Sequence, residues 1–537
     1  RERLDDSPYN MPIVTDAANR IQDTPWRINK DVLRVLKACW ELDNELGELP
    51  PRENLPLPEK PADIETNRDS RREYARAAAK TYEINQTKSS IRLMVSKILL
   101  VADEMGVDQH FYFPVQLDFR GRLYYIPQYL NPQGTDFARG LLTFYSSYMV
   151  GKGIKWVEIH GANCWGVDKL SFEGRRSWVQ ENREHIRKST EDPLAYRWWS
   201  SAEKPWQFLA FCFDYVNFMD NKTGDYFSRL PIYLDASSNG IQILSLLGRD
   251  EVGATQTNLV ELEKPNDIYA FIASKVEKKV EKEIGTEPLA SIWKNVGIDR
   301  KLMKHPVMSV PYGGTQFTIR AELEQRLIEG VASNPAIEEA LGDKTPYSAS
   351  QWLAKIAWKT IRKEIGRAID VMDHIRLVGD ASVREDKAIR WKTPSGFQFE
   401  QAYVETKLIT VKTVLDLKYS ATSLLAKDLD SLSIRKNRNA VAPNFVHCID
   451  AAILHMAVSR IRFPIAAVHD CFATHALFMD DLMAVLKRVY CDVFSSEKLV
   501  KDFKSSVLAP DKALQIKDLE QYEFDIDRIQ TANYFFH

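Results

Sequence analysis

Two short apolar runs far apart in the chain each lead to a single acid. Ile232-Tyr233-Leu234 delivers Asp235, and Ala466-Ala467-Val468 leads through His469 to Asp470, 235 residues later. Both read as short buried strands, and strands of that length are stable only beside partners. If the two share a sheet, the long stretch between them must leave that sheet and return. The expected class is therefore α+β, with a small sheet assembled from distant segments and a mainly helical insertion. A lone Asp at a strand end is ordinarily a turn or cap residue. Two such acids on adjacent strands have another use, because Mg²⁺ favours one or two carboxylates plus substrate phosphate oxygens over an all-protein cage. The residues after the first acid, Ala236-Ser237-Ser238-Asn239-Gly240, are small enough to leave room for a phosphate-bearing ligand.

The rest of the chain reads consistently with this. Its 537 residues predict two to four structural units. Residues 29–47 and 70–105 carry helical apolar stripes, joined by the Pro-rich connector LPPRENLPLPEKPADI. From Phe111 the texture turns aromatic and β-branched. Helical patterns return over 265–285 and 350–375, and residues 390–420 read as strands with a turn near Ser395-Gly396. Residues 448–461 read as a helix and 463–477 as two strands around an acidic tip. The formal net charge of −2 means that any nucleic-acid surface must come from local segregation of charge. Six scattered cysteines form no CxxC pair, which fits a reducing compartment. No apolar run of about 18 residues stands out, so no membrane span is expected. The opening RERLDDSPYN lacks Met and does not read as a signal peptide.

A third feature is GIDRKLMKHPVMSVPYGGT. Arg300 and Lys304 are one helical turn apart and share a face, with Tyr312 further along it. Such a pair is usually solvated surface. Here it could neutralise a triphosphate, with an aromatic ring near a base and with Gly313 and Gly314 allowing close backbone approach.

These residues resemble the single-subunit, bacteriophage-type (T-seven-like) DNA-directed RNA polymerases. DASSNGIQ and VHDCF are similar to the two metal-binding motifs of that family. RKLMKHPVMSVPYGG resembles its fingers-helix motif, R-x3-K-x7-YG. LDFRGRLYYIPQYLNPQGTDFARGLLTF, IHGANCWGVDK, FLAFCFDY and APNFVHCIDAAILH follow in matching order, and the likeness runs from about Thr24 to the C-terminus. Ala236 stands where the phage archetype has Gly, and His305 where it has Arg.

The resemblance implies a right-hand fold: a remnant of an N-terminal domain over 1–23, thumb 24–110, palm 111–251 and 448–537, and fingers 252–447. A promoter-reading hairpin would lie near 405–435. It implies template-directed RNA synthesis from nucleoside triphosphates, with two Mg²⁺ ions held by Asp235, Asp470 and the Ala236 carbonyl. Lys169, Arg300 and Lys304 would hold the triphosphate, with Lys304 protonating pyrophosphate. Tyr312 and His447, the latter just ahead of its predicted helix, would read the sugar. Arg120 and Arg122 would grip the template or hybrid backbone, and Gly313 would lie against nucleic acid. The implied partners are DNA template, RNA transcript and nucleotides, with no membrane. The core would be monomeric, with the N-terminal promoter-binding domain absent, cleaved or on a second chain, or with an accessory subunit. The setting would be the cytoplasm of a phage-infected bacterium, or alternatively the mitochondrial matrix. A right-hand DNA polymerase would use the same acids, but usually places a bulky blocker where DASSNG is small. An inactive nucleic-acid-binding homologue would have no need of both acids and all three cations. The spacing of His447, Asp450 and His455 is awkward for zinc.

Overall fold

The computed structural model describes residues 11–537 apart from 108, 223–224, 417–418, 497 and 521–523. Residues 1–10 of the expected remnant therefore lie outside the described residues, as does the tip of the expected hairpin.

Near the N-terminus, Asn29 caps the helix Lys30–Glu41 by accepting from the Val32 amide. That helix stops six residues short of the expected end. Asp43 and Gly47 adopt left-handed backbone (φ 52° and 60°), which a helix cannot continue through. The 40-residue helix Arg68–Val107 (α1) follows the Pro-rich connector. Its buried residues are Ala78 and, near its end, Val95, Ile98, Leu99 and Ala102. The connector lies back along α1. Arg92 donates from Nη1 to the carbonyls of Pro51 and Glu53, both at 3.0 Å, and Asn85 bonds the Leu55 amide and carbonyl.

The two acid-bearing runs do meet. Strand β1 (Ile232–Asp235) precedes helix α2 (Asn239–Leu247), helix α3 (Arg300–Ser309) and a ribbon of β2 (Val404–Asp416) and β3 (Tyr419–Leu432). Helix α4 (Ile434–Arg460) then leads to β4 (Ala466–Val468) and β5 (Cys471–Thr474). The sheet order is β4-β5-β1, antiparallel throughout, with Cys471 opposite Asp235 and Phe472 opposite Leu234. Residues Phe535–His537 line the free edge of β1. Ser237 donates to the Phe535 carbonyl at 3.1 Å, and His537 to the Asp235 carbonyl at 3.0 Å.

Between β1 and β4 the chain builds a second hydrophobic core. Helices Ile268–Glu283, Pro288–Val296, α3, Gln316–Ser333 and Pro346–Glu364 pack around Val276, Trp293, Met303, Leu323 and Leu353. The expected turn near Ser395-Gly396 joins Ile389–Lys392 to Gln398–Gln401, with Gly396 at φ 89°. Ribbon β2–β3 runs antiparallel over the expected hairpin segment.

Helix α4 corrects one expectation. It begins at Ile434, so His447 sits in mid-helix rather than ahead of it. Pro443 is inside the helix. Proline removes one hydrogen bond there, but Val441, Phe445, Val446, Cys448 and Ile449 are buried around it, and that burial outweighs the loss. By length and composition α4 could cross a membrane, but 83% of its most apolar window is buried inside the protein, so it is a core helix.

Candidate active site

The site begins where β1 ends. The Ala236 amide donates to the Asp470 carbonyl at 3.2 Å, tying the end of β1 to the two-residue turn His469-Asp470 between β4 and β5. Asp470 is thus a turn residue and Asp235 a strand-end residue. In an extended chain a residue's N–H and C=O point to one edge, so the Ala236 carbonyl also faces the Asp470 turn. Beside each acid a non-glycine residue holds left-handed backbone, Ser238 at φ 59° and His469 at φ 58°. Strain of this kind costs about 1 kcal/mol or more per residue and concentrates at functional sites.

Burial raises the Asp470 carboxyl well above the usual carboxylate range, with the charges of Asp235 and Asp450 adding to it. The protein packed around Asp235 raises its carboxyl as well, although the residue itself opens to the cavity. Two carboxylates held this way repel when both are ionised, and a divalent cation between them relieves that cost. Among the described residues no three His, Cys, Asp or Glu side chains gather into a complete metal cage. The donor set suits a cation that takes its remaining oxygens from water and phosphate, as Mg²⁺ does.

The acids open onto a cavity of about 320 Å³ that is also lined by Lys169, Arg300, Lys304 and Tyr312. Asp299 caps α3 by accepting from the Leu302 amide, which sets Arg300 and Lys304 one turn apart on the cavity side. Two of the three cations already have carboxylate partners. Arg300 bonds Asp267, while Lys169 lies 2.8 Å from Asp168 and 3.7 Å from Asp267. Lys304 has no carboxylate partner among the described residues. His305 is exposed on the same helix and does not line the cavity.

Asp267 and Tyr269 are cavity residues that motif reading missed. Asp267 also caps the helix Ile268–Glu283 by accepting from the Tyr269 and Ala270 amides, so in sequence it carries only a capping signature. Burial acts to raise its carboxyl, but the Arg300 hydrogen bond and the Lys169 charge bring it below its ordinary value. The Ser238 hydroxyl donates to the Tyr269 hydroxyl at 2.9 Å.

On the other side, Val310–Tyr312 is one turn of 3₁₀-helix and Gly313 leaves it at φ 90°, where a side chain would be strained. The Tyr312 ring stacks on His447, with centroids 5.1 Å apart and planes at 29°. A Cβ on Gly240 would lie 3.1 Å from the Tyr312 hydroxyl oxygen, so the small residue there gives that hydroxyl its place. Tyr312 is partly exposed, but the protein crowding its hydroxyl pushes the phenol up to about 12, reinforced by Asp470 and Asp450. Arg120 donates to His447 Nδ1 at 2.9 Å. A guanidinium only donates, so His447 carries its hydrogen on Nε2. Burial, with Arg122 and Arg120 nearby, pushes His447 down to about 3, so it is neutral at pH 7.

Arg120 also pairs with Asp118 at 2.6 Å, at a part-buried position. Arg122 is turned inward, its Nε and Nη2 at 2.9 and 2.6 Å from one oxygen of buried Asp450. The other oxygen of Asp450 accepts from Asn239 Nδ2 at 2.8 Å, and the Tyr490 hydroxyl donates to Asn239 Oδ1 at 3.2 Å. This network ties α2 to α4 beneath the cavity. Arg122→Ala would strand a buried carboxylate, and the expected loss is about 3–5 kcal/mol in urea unfolding. A variant as stable as the parent would show that Asp450 finds other compensation. His455, part of the zinc alternative, instead bonds the Ser395 hydroxyl at 3.1 Å in the core.

Comparison with known proteins places this geometry in context. The profile of the DNA-dependent RNA polymerase family matches residues 149–532. The chain is 32% identical over 541 residues to DNA-directed RNA polymerase 1, mitochondrial, of Arabidopsis thaliana, covering 98% of this chain and 54% of that protein. It is 30% identical over 544 residues to T7 RNA polymerase of Escherichia phage T7, covering 92% of this chain and 60% of that protein. DNA-directed RNA polymerase 1, mitochondrial, of Nicotiana sylvestris is 33% identical, with coverage of 98% and 52%. The chain spans about half the length of the curated relatives it matches.

Proposed function

Because the chain belongs to the DNA-dependent RNA polymerase family, we propose that it joins nucleoside triphosphates to the 3′ end of an RNA in the order set by a DNA template, releasing pyrophosphate. The observation that carries this is the convergence of Asp235 and Asp470 with Lys169, Arg300 and Lys304 on one cavity, from segments spread over 300 residues. The sheet with β1, β4 and β5 corresponds to a palm, the second core with α3 to fingers, and α1 to a thumb. Ribbon β2–β3 corresponds to a promoter-reading hairpin.

Asp235, Asp470 and the Ala236 carbonyl would hold two divalent ions, Mg²⁺ by their oxygen donors. Such ions supply the charge that activates the 3′-hydroxyl and neutralises the leaving oxygens. Arg300 and Lys169 exchange part of their pairing with Asp267 and Asp168 for the triphosphate. Lys304, the cation without a carboxylate partner among the described residues, donates the proton that pyrophosphate needs on leaving. Arg120, more open than Arg122, is the better contact for a nucleic-acid backbone. Arg122 acts through Asp450. The relatives include both phage and organellar enzymes, so the settings for this chemistry are the bacterial host cytoplasm or an organelle matrix. Both suit a chain whose six cysteines are free.

Sugar choice rests on Tyr312 and the Nε2–H of His447. The Tyr312 hydroxyl has no hydrogen-bond partner among the described residues and lies beside Gly240, where a ribose 2′-hydroxyl could meet it. Tyr312→Phe should therefore shift rNTP/dNTP selectivity by roughly tenfold toward dNTPs while rNTP addition continues. Unchanged selectivity in competition assays would leave the discrimination to His447. The test of the function itself is extension of an RNA primer on a pre-opened DNA template with Mg²⁺, comparing UTP with TTP. Preferred addition of UTP supports an RNA polymerase, preferred TTP a DNA polymerase, and no addition a binding subunit.

A further inference from the structure

His537 lies directly opposite Asp235 across the edge of β1. Its amide donates to the Asp235 carbonyl at 3.0 Å, and the Asp235 amide points back at a backbone oxygen of His537 at 3.5 Å. Residues paired this way in an antiparallel ladder present their side chains to the same face, with Cβ atoms about 4.5–5.5 Å apart. The imidazole accordingly lines the same cavity as Asp235, Asp470 and Lys169.

The ring is fixed and its tautomer follows from its partners. Nδ1 lies 2.9 Å from the Tyr534 carbonyl, which can only accept, so Nδ1 carries the hydrogen. The Ser237 hydroxyl oxygen lies 3.2 Å from the same nitrogen and accepts from Asn258 at 2.6 Å, which holds the ring on its flank. Nε2 therefore carries a lone pair and has no hydrogen-bond partner among the described residues. An imidazole whose Nδ1–H is tied to a backbone carbonyl is oriented as histidines at metal sites are, with the second nitrogen presented to the ion or to its hydration shell. Among the described residues no complete cage of three protein ligands is formed. Mg²⁺ and ions like it keep several waters when held by two carboxylates, and those waters need acceptors.

We infer that His537 is a positioning residue for the divalent cation at Asp235, accepting through Nε2 a hydrogen bond from a water bound to that cation. This rests on the two-acid reading above and adds a third participant from a segment that carries no metal-binding motif. Its consequence is a change in cation affinity that is measurable without nucleotide or turnover.

The experiment is titration of the full chain with Mn²⁺, following the free ion by electron paramagnetic resonance, for the parent, His537→Ala, His537→Gln and Asp235→Asn. Thermal unfolding of each variant in EDTA checks that the fold is intact. The expected result is a roughly tenfold or larger loss of affinity in His537→Ala, since partners of this kind are worth about 10–100-fold. His537→Gln, whose amide oxygen can accept in the same place, should recover most of it. A folded His537→Ala with affinity within twofold of the parent, while Asp235→Asn loses binding, overturns the role of His537 and leaves the acids standing. A parent chain that binds no Mn²⁺, or an Asp235→Asn that binds it normally, overturns the two-acid reading and this inference with it.

Discussion

Asp470→Asn, and equally Asp235→Asn, is expected to lower nucleotide addition by about 10³-fold or more while leaving template binding nearly intact. On the proposed metal role, the rate falls because each substitution would remove a charged ligand without changing its size. The charge stabilisation lost is several kcal/mol, at roughly 1.4 kcal/mol per decade of rate. Template affinity survives because phosphate contacts elsewhere dominate it. The same substitution should make the metal-free protein more stable at neutral pH. The Asp470 carboxyl is raised in the folded state by burial and by Asp235 and Asp450. The folded chain therefore loses stability as pH climbs from the unfolded-chain value of about 3.9 up to the raised one. Asparagine has no proton to lose and avoids that penalty. At pH 3 both proteins are uncharged at this position, and the difference should vanish. Melting curves in EDTA at pH 3 and pH 7.5, beside single-nucleotide extension in Mg²⁺, check both parts. A variant that extends normally removes the metal assignment. One that melts below its parent at pH 7.5 in EDTA removes the electrostatic account.

Lys304→Ala should produce the second-largest loss, about 10²–10⁴-fold in the rate of the chemical step, the range general acids supply. The distinction among the three cavity cations is their pairing. Arg300 and Lys169 are already in contact with Asp267 and Asp168, so removing either also breaks a charge pair, and the loss should fall mainly on KM. Lys304 shares its charge with no carboxylate among the described residues. Lys304→Arg separates charge from proton: a guanidinium keeps the positive charge but does not give up its proton in a protein. It should bind nucleotide nearly as well as the parent and still react slowly. Single-turnover extension at saturating nucleotide measures this. A Lys304→Ala enzyme within about tenfold of the parent would assign proton delivery to solvent or to another group.

What could be read from sequence divides along a physical line. The acids that follow two apolar runs, the one-turn spacing of Arg300 and Lys304 and the turn at Ser395-Gly396 are local features, legible because each depends on a few adjacent residues. The sheet of β4, β5 and β1 could be expected, because two short buried strands must find partners. The pairing of Phe535–His537 with β1 has no local signal, since it joins segments some 300 residues apart. The start of the helix well ahead of His447 is hard to read locally, because Pro443 is a strong local breaker while the burial that overrides it comes from the rest of the fold. Arg122 has the composition of a surface charge. Only the position of Asp450 on α4 shows that it points inward. Asp267 was hidden for a different reason: it performs an ordinary capping task and a cavity task with the same carboxylate.

The connector laid along α1 has a mechanical meaning. At 1.5 Å per residue, 40 residues make a rod of roughly 60 Å. Its root is clamped by Val95, Ile98, Leu99 and Ala102, and beyond them Ala78 alone is buried. A beam held at one end bends most easily near its clamp. There Arg92 and Asn85 fasten the proline-stiffened strip to its side, as a leaf is added to a spring. The strip adds bending stiffness near the clamp, and a stiffer root would shorten the sweep of the tip for a given load.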